Sequence, residues 1–100
     1  MKPEDKFIAF LEVHPELYPL SQSAFYIDFL KTMSLQAKTS EQFSQLFPKI
    51  DQKDLELIVF SLQKLKLVSR TTVGEKKFYY ISPLGKEFLE KYLTAKESLS

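Results

Sequence analysis

Apolar side chains recur with a helical period near the start of the chain. The stretch PEDKFIAFLEV places Phe7, Ile8 and Leu11 on one stripe and carries acidic residues in its first turn. This pattern is typical of a helix that begins at a proline. Two prolines shortly afterwards stop it. The sequence therefore predicts a short N-terminal helix over residues 3–13.

Two further helices are predicted in the next part of the chain. In SQSAFYIDFLKTMSL, Ser21 or Ser23 can cap a helix whose apolar side chains recur at helical spacing. In TSEQFSQLFPKI, Thr39 or Ser40 is the candidate cap, and Gln42 stands in capping-box register with Thr39. A proline follows, so this third helix is predicted to be brief.

The longest helical pattern lies in DQKDLELIVFSLQKLKL, over residues 51–66. Asp51 is placed to cap this helix, and Asp54 lies near the positive end of its dipole. A continuous apolar stripe predicts the side that packs on the core. The stripe contains Leu55, Ile58, Val59, Leu62 and Leu65.

After this helix the pattern changes from helical to alternating. The stretches LVSRTT and KKFYYIS are rich in β-branched and aromatic residues and flank VGEK, in which Gly74 can adopt positive φ. They predict a β-hairpin. Successive side chains of a strand face opposite ways, and we expect Tyr79 and Ile81 to face inward and Phe78 and Tyr80 outward. We interpret the aromatic residues as packing and stiffening the hairpin rather than as stacking on bases.

The strand leads directly into a final helix. Ser82 and Pro83 are an N-cap and first-turn pair, which predicts a helix over residues 83–97. Its apolar side is formed by Leu84, Phe88, Leu89, Tyr92 and Leu93.

The order of these elements resembles the winged helix-turn-helix, in which the long helix is the recognition helix and the hairpin is the wing. The expected fold class is mainly α-helical with a small β-hairpin. We expect one domain over residues 1–100, with an N-terminal helix 3–13, a winged-helix core 21–82 and a C-terminal helix 83–97.

The junction KKFYYISPLGKEFL is similar to the sequence that closes the wing in regulators of the MarR and PadR kind. In those proteins a basic residue and two tyrosines are followed by Leu-Thr and then by glycine. The resemblance implies a transcriptional regulator that binds double-stranded DNA. The matching residues here are Lys77, Phe78, Tyr79, Ile81, Ser82 and Gly85.

Composition argues against several other classes. The chain has no cysteine and only one histidine, His14, so it offers neither disulfides nor a metal cage. It has no Gly-rich phosphate loop and no nucleophile paired with a histidine base. We therefore expect no catalytic activity, no cofactor and no metal.

The expected location is the cytoplasm. No apolar run reaches the length of a membrane span. Glu4 and Asp5 also stand where a signal peptide would carry only positive charge. We expect an intracellular protein that makes no membrane contact.

Positive charge is concentrated towards the C-terminus. Residues 1–62 carry six lysines against nine acids, whereas residues 63–100 carry seven lysines and Arg70 against four acids. Arg70, Lys76 and Lys77 lie on or near the hairpin turn, where long cationic side chains can reach phosphates. Lysines on an exposed hairpin can also serve solubility alone, so both interpretations stay open.

The long helix offers further polar candidates on its outer side. Glutamine and lysine can bind base edges or phosphates. Acids at Asp51, Asp54 and Glu56 work against this, because they repel phosphates. The predicted nucleic-acid-binding residues are Gln52, Lys53, Lys64, Arg70, Lys76 and Lys77.

The same outer side carries two large apolar residues, Leu57 and Phe60. They can touch thymine methyl groups, or be covered by the N-terminal helix or a second subunit. They can also bind a different protein. The alternative function is therefore a protein-interaction module.

The terminal helices carry more apolar residues than one stripe requires, at Phe7 to Leu11 and Phe88 to Leu93. A second copy across a two-fold axis is the simplest cover for this surface. We therefore expect a homodimer through the terminal helices.

Overall fold

The computed structural model describes residues 2–99, which contain six α-helices and one two-stranded antiparallel hairpin. These secondary-structure elements confirm the predicted fold class. The elements are α1 (Pro3–Val13), a 3-10 turn (Pro15–Leu17), α2 (Tyr18–Ser21), α3 (Ala24–Leu35), α4 (Ser40–Leu46), α5 (Gln52–Lys64), β1 (Val68–Val73), β2 (Lys76–Ile81) and α6 (Pro83–Leu99).

The proline segment after α1 adds two elements that the pattern did not predict. Pro15 opens the 3-10 turn and Pro19 lies in the first turn of α2. Proline is tolerated there because the first amides of a helix have no intrahelical partner. The prolines therefore end α1 and begin new helical turns, which bury Leu17 and Leu20.

The caps resolve the alternatives that the sequence left open. Ser23 caps α3 through its hydroxyl, which accepts from the Tyr26 amide at 3.5 Å. Thr39 caps α4 in a complete capping box with Gln42, as predicted. Asp51 occupies the N-cap position of α5, but its side chain accepts no capping hydrogen bond there. Its carboxylate acts on the helix only through charge.

An aromatic cluster joins α3 to α4. The Phe29 ring stacks on Phe43 with centroids 4.5 Å apart and on Phe47 at 5.4 Å, both with an interplanar angle of 24°. Phe29 and Phe43 are completely buried or nearly so. Leu55, Val59 and Leu62 of α5 are also buried, and Ile58 and Leu65 pack against the core. The predicted inner stripe of α5 is therefore confirmed.

The terminal helices cover one another within a single chain. The Phe7 ring lies 6.0 Å from Phe88 and 5.8 Å from Tyr92, and Phe10 lies 6.3 Å from Phe88. Phe10 and Phe88 are buried. Most of the apolar surface that motivated a homodimer is thus used between α1 and α6. On this part of α1, Ile8 stays 54% exposed.

The hairpin β1–β2, called the wing from here on, is tied to the segment before α4 by an isolated β-bridge. Lys38, between α3 and α4, forms an antiparallel bridge with Tyr79 of β2. The Lys38 amide donates to the Tyr79 carbonyl at 2.9 Å, and the Tyr79 amide donates back at 2.8 Å. This pairing fixes the wing relative to the start of α4.

The end of α5 turns into the wing through a left-handed residue. Lys66 has φ +64, its amide donates to the Gln63 carbonyl, and the Leu67 amide donates to the Leu62 carbonyl. These two bonds form a Schellman motif, and the buried Leu62 and Leu67 supply its apolar contact. The motif ends α5 and sets the direction of β1.

The junction between β2 and α6 closes on the same turn. The Ser82 hydroxyl donates to the Lys66 carbonyl at 2.6 Å and accepts from the Gly85 amide at 3.0 Å, which makes it the predicted cap of α6. The Ser82 amide donates to the Leu67 carbonyl. A β-carbon on Gly85 would collide with that carbonyl oxygen and lie 2.7 Å from Ile81 Cγ1. The structure therefore explains why a serine and a glycine stand at positions 82 and 85 of this junction.

Together these contacts define a winged helix-turn-helix, with α4 and α5 as the helix pair and the wing directly after α5. Among residues 2–99, no helix combines the length and apolar character needed to cross a membrane.

Candidate nucleic-acid interface

A cleft of about 370 Å³ lies between α5 and the wing, with the start of α4 at its edge. Gln52 and Phe60 line it from α5, Arg70 and Lys77 from the wing, and Ser40 from α4. Three of the six predicted nucleic-acid-binding residues, Gln52, Arg70 and Lys77, therefore meet at one site.

The register of the wing explains how its cations reach the cleft. Directly opposed residues of an antiparallel pair share one face. Ile81 pairs with Val68 in the core, Tyr79 pairs with Arg70, and Lys77 pairs with a threonine nearer the tip. This face therefore changes along its length from buried apolar residues to exposed cations.

The predicted inward direction of Tyr79 and Ile81 is confirmed. Ile81 is buried and Tyr79 packs against the core, whereas Tyr80 on the opposite face is 40% exposed. Tyr79 contacts Phe43 of α4, with ring centroids 6.4 Å apart. Tyr79 thus attaches the wing to α4 and also forms part of the cleft wall.

A shallower depression adjoins the cleft at the tip of the wing. Lys76 and Lys77 line it together with Glu75, and residues at the start of α4 form its other side. Ser40 and Lys77 belong to both the depression and the cleft. Lys77 therefore lies in both spaces, between Arg70 in the cleft and Lys76 in the depression. Arg70 lies in mid-strand rather than at the turn.

Lys53 and Lys64 lie outside the cleft and the depression. Both are exposed on α5. The Lys64 ammonium lies over the Phe60 ring, with Nζ 5.5 Å from the ring centroid. Lys64 is therefore next to the cleft wall. Lys53 lies on the same helix but is not part of that wall.

Leu57 and Phe60 are not covered by the N-terminal helix or by any other described part of the chain. Their side chains are 57% and 56% exposed, respectively. Phe60 lines the cleft, but Leu57 does not. Two side chains of similar exposure on one helix therefore face different surroundings.

Acidic residues interrupt the positive surface. Glu56 of α5 lies in the cleft, while Glu41 and Glu75 lie in the depression. Asp51 and Asp54 are also exposed in the N-terminal turn of α5, so the charge of that turn is unfavourable for phosphate.

Ser40, Gln63 and Tyr79 also line the cleft, although they are not among the binding residues predicted from the sequence. Gln63 could have been found, because Gln52, Glu56 and Gln63 share one helical stripe on α5. Ser40 reaches the cleft only through the packing of α4 against α5 and the Lys38–Tyr79 bridge. No pattern local to α4 indicates that contact.

Comparison with known proteins identifies no family for this chain. No protein-family model matches the sequence, and a search of curated proteins gave no match. The crystal structure of dissimilatory sulfite reductase D (DsrD) is similar with a TM-score of 0.44 and 17% sequence identity, covering 87% of this chain and 95% of that chain. The resemblance to MarR and PadR regulators stays a prediction from the junction residues.

Proposed function

We propose that this winged-helix protein binds double-stranded DNA and regulates transcription. The observation that supports this best is the meeting of Gln52, Arg70 and Lys77 around one cleft, with Lys76 in the adjoining depression. The resemblance of the β2–α6 junction to MarR and PadR regulators supports the regulatory role. The proposal gives the protein a binding role and no catalytic one.

In this proposal the wing binds the DNA backbone and α5 binds the bases. Arg70, Lys76 and Lys77 bind backbone phosphates, which supplies affinity and orientation without sequence information. The α5 helix approaches the major groove, where Gln52 in its first turn can bind base edges. Because the Lys38–Tyr79 bridge fixes the wing against α4, both contacts can form without a large rearrangement.

Removing the two lysines at the wing tip tests the proposal. We expect the double variant Lys76→Ala/Lys77→Ala to bind all duplex sequences more weakly, and to about the same extent. The negative slope of log affinity against log salt should become shallower by roughly two units, since each phosphate contact that is lost means about one fewer counterion released on binding. Fluorescence anisotropy of labelled duplexes over a salt series measures both effects.

A matched control removes the same charge elsewhere. Lys6 on α1 and Lys86 on α6 are exposed and lie outside both the cleft and the depression. The double variant Lys6→Ala/Lys86→Ala should therefore keep the salt slope of the wild type. An equal loss in both double variants would show that only net charge matters and would remove the wing from the proposal.

A second function is favoured by the exposure of Leu57 and Phe60. Exposed apolar residues flanked by lysines also suit a protein-binding surface, so a protein-interaction module is the alternative. Salt separates the two functions. Phosphate-dominated binding weakens steeply with ionic strength, whereas apolar protein contact does not.

We also propose a homodimer through the terminal helices, now on a narrower surface than the sequence indicated. Ile8, Leu11, Pro15 and Tyr18 line an apolar depression on α1 and the proline segment that follows it, with Glu12 beside them. Ile8 and Tyr18 are more than half exposed. Contact between two copies there would leave both wings free to bind DNA.

A further inference from the structure

Phe60 is an unusual residue for the wall of a duplex-binding surface. Its ring is 56% exposed and lines the cleft opposite the wing cations Arg70 and Lys77. In an intact duplex the bases are stacked on one another, so they present their edges to a protein and not their faces. A duplex therefore gives Phe60 no planar partner.

An unpaired base does present its face. Proteins that bind single strands combine aromatic side chains, on which bases stack, with cations that follow the backbone. The cleft has this arrangement, because Phe60 lies on the α5 side and Arg70 and Lys77 lie on the wing side. The Lys64 ammonium lies over one face of the Phe60 ring, 5.5 Å from its centroid, so a base would stack on the other face.

The shape of the cleft also suits one base. Its volume of about 370 Å³ lies within the range of about 300–1,000 Å³ that is usual for small-molecule sites. The cleft is concave and bounded by α5 on one side and the wing on the other. A base turned out of the helix can enter such a space.

The polar side chains of the cleft indicate which bases would bind. Gln52, Glu56 and Gln63 line it from α5, and Ser40 lines it from α4. A carboxylate accepts hydrogen bonds from exocyclic amino groups, as glutamate does with cytosine. Thymine has no such group. Glu56, which opposes phosphate binding, is therefore suited to binding the edge of an amino-bearing base.

We propose that the cleft binds one unpaired base that carries an exocyclic amino group, stacked on Phe60, while the wing holds the adjoining phosphates. This inference rests on the proposed function, because the same wing cations bind the backbone in both. It identifies the preferred ligand as a duplex with a single-stranded tail rather than a blunt duplex. The chemistry is common to DNA and RNA tails.

The test compares labelled duplexes that share one double-stranded sequence. One is blunt, one has a short cytosine tail, one has a thymine tail, and one has an abasic tail that keeps the phosphates and removes the bases. We expect the cytosine-tailed duplex to bind roughly tenfold more tightly than the abasic-tailed duplex, since stacking of one base is worth about that factor or more. The thymine-tailed duplex should bind with an affinity between those of the other two tailed duplexes. A cytosine tail in RNA shows whether the sugar matters.

Three variants assign the effect to the ring. Phe60→Ala should lose the preference for the cytosine tail over the abasic tail, and Phe60→Tyr should keep it. Leu46→Ala is the matched control, because Leu46 on α4 is 50% exposed and lies outside both the cleft and the depression. It should bind every probe as the wild type does. Thermal unfolding followed by circular dichroism checks that each variant is folded.

The outcomes separate this inference from the proposed function. Equal binding of the cytosine-tailed and abasic-tailed duplexes by the wild type would overturn the inference without any variant being needed. If that result is accompanied by weaker binding in Lys76→Ala/Lys77→Ala, duplex binding through the wing still stands. If the wild type binds no probe at low salt, the proposed function fails and the inference fails with it. An equal loss in Leu46→Ala and Phe60→Ala would overturn the assignment to the cleft.

Discussion

Replacing Gly85 with alanine tests whether the junction between the wing and α6 holds the fold together. Gly85 is buried in the first turn of α6. An added β-carbon would collide with the Leu67 carbonyl oxygen, lie 2.7 Å from Ile81 Cγ1 and lie 3.2 Å from the Leu67 carbonyl carbon. Two of these three atoms belong to the backbone, so a change of side-chain rotamer cannot relieve the overlap.

The loss of stability can be estimated from the backbone groups that the added β-carbon displaces. The Leu67 carbonyl accepts from the Ser82 amide at 2.9 Å, and Ser82 in turn caps α6. Overpacking of this kind costs about 1–3 kcal/mol, and weakening one or two of the hydrogen bonds adds about 1 kcal/mol each. Alanine regains at most about 1 kcal/mol through its higher helix propensity. We expect a net loss of about 2–4 kcal/mol in the free energy of unfolding.

Urea unfolding followed by far-UV circular dichroism measures this loss. In a domain of this size each 1 kcal/mol corresponds to about 4–8 °C in Tm, so the melting temperature should fall by about 10 °C or more. Gly74→Ala is the matched control, because Gly74 has φ +64 and a β-carbon there meets no atom within 4 Å. It should lose only the roughly 1–2 kcal/mol of the left-handed conformation. A Gly85→Ala variant as stable as the wild type would refute the steric reasoning.

Two further predictions concern the end of α5 and the assembly. Lys66→Gly should raise the free energy of unfolding by about 0.5–1 kcal/mol, because glycine adopts the left-handed conformation of Lys66 (φ +64) without strain and the exposed side chain packs on little. Urea unfolding decides this, and a loss of stability would contradict it. If the terminal helices form a homodimer, Ile8→Glu should convert it to a folded monomer, because Ile8 is exposed in the apolar depression. Light scattering measures the mass, and a wild-type mass of 11.7 kDa would contradict the homodimer.

The local elements of this protein can be predicted from its sequence because their signals are local. A helical or alternating period shows which side of an element is apolar, and the caps mark where helices begin. The capping box of Thr39 and Gln42, the positive φ of Gly74 and the inward direction of Ile81 all depend on residues close in sequence. The winged-helix order follows from these elements in succession.

The partners of each apolar face were decided only by the tertiary structure. The periods of α1 and α6 show that both helices are broadly apolar, but not that Phe7 packs against Phe88 and Tyr92 of the same chain. A surface that another element covers and a surface that a second copy covers have the same sequence pattern. For this reason the apolar excess predicted from the terminal helices is smaller in the folded chain.

The candidate site shows the same division. Cations on the wing and Phe60 on the outer side of α5 can be identified from spacing alone. Their meeting in one cleft depends on the bridge between Lys38 and Tyr79, which joins residues far apart in the chain. That bridge places Ser40 at the cleft and turns Arg70 towards α5. The sequence by itself determined which side of each element is apolar and which is polar, and the tertiary structure determined which sides face one another, because pairing between distant segments has no local period.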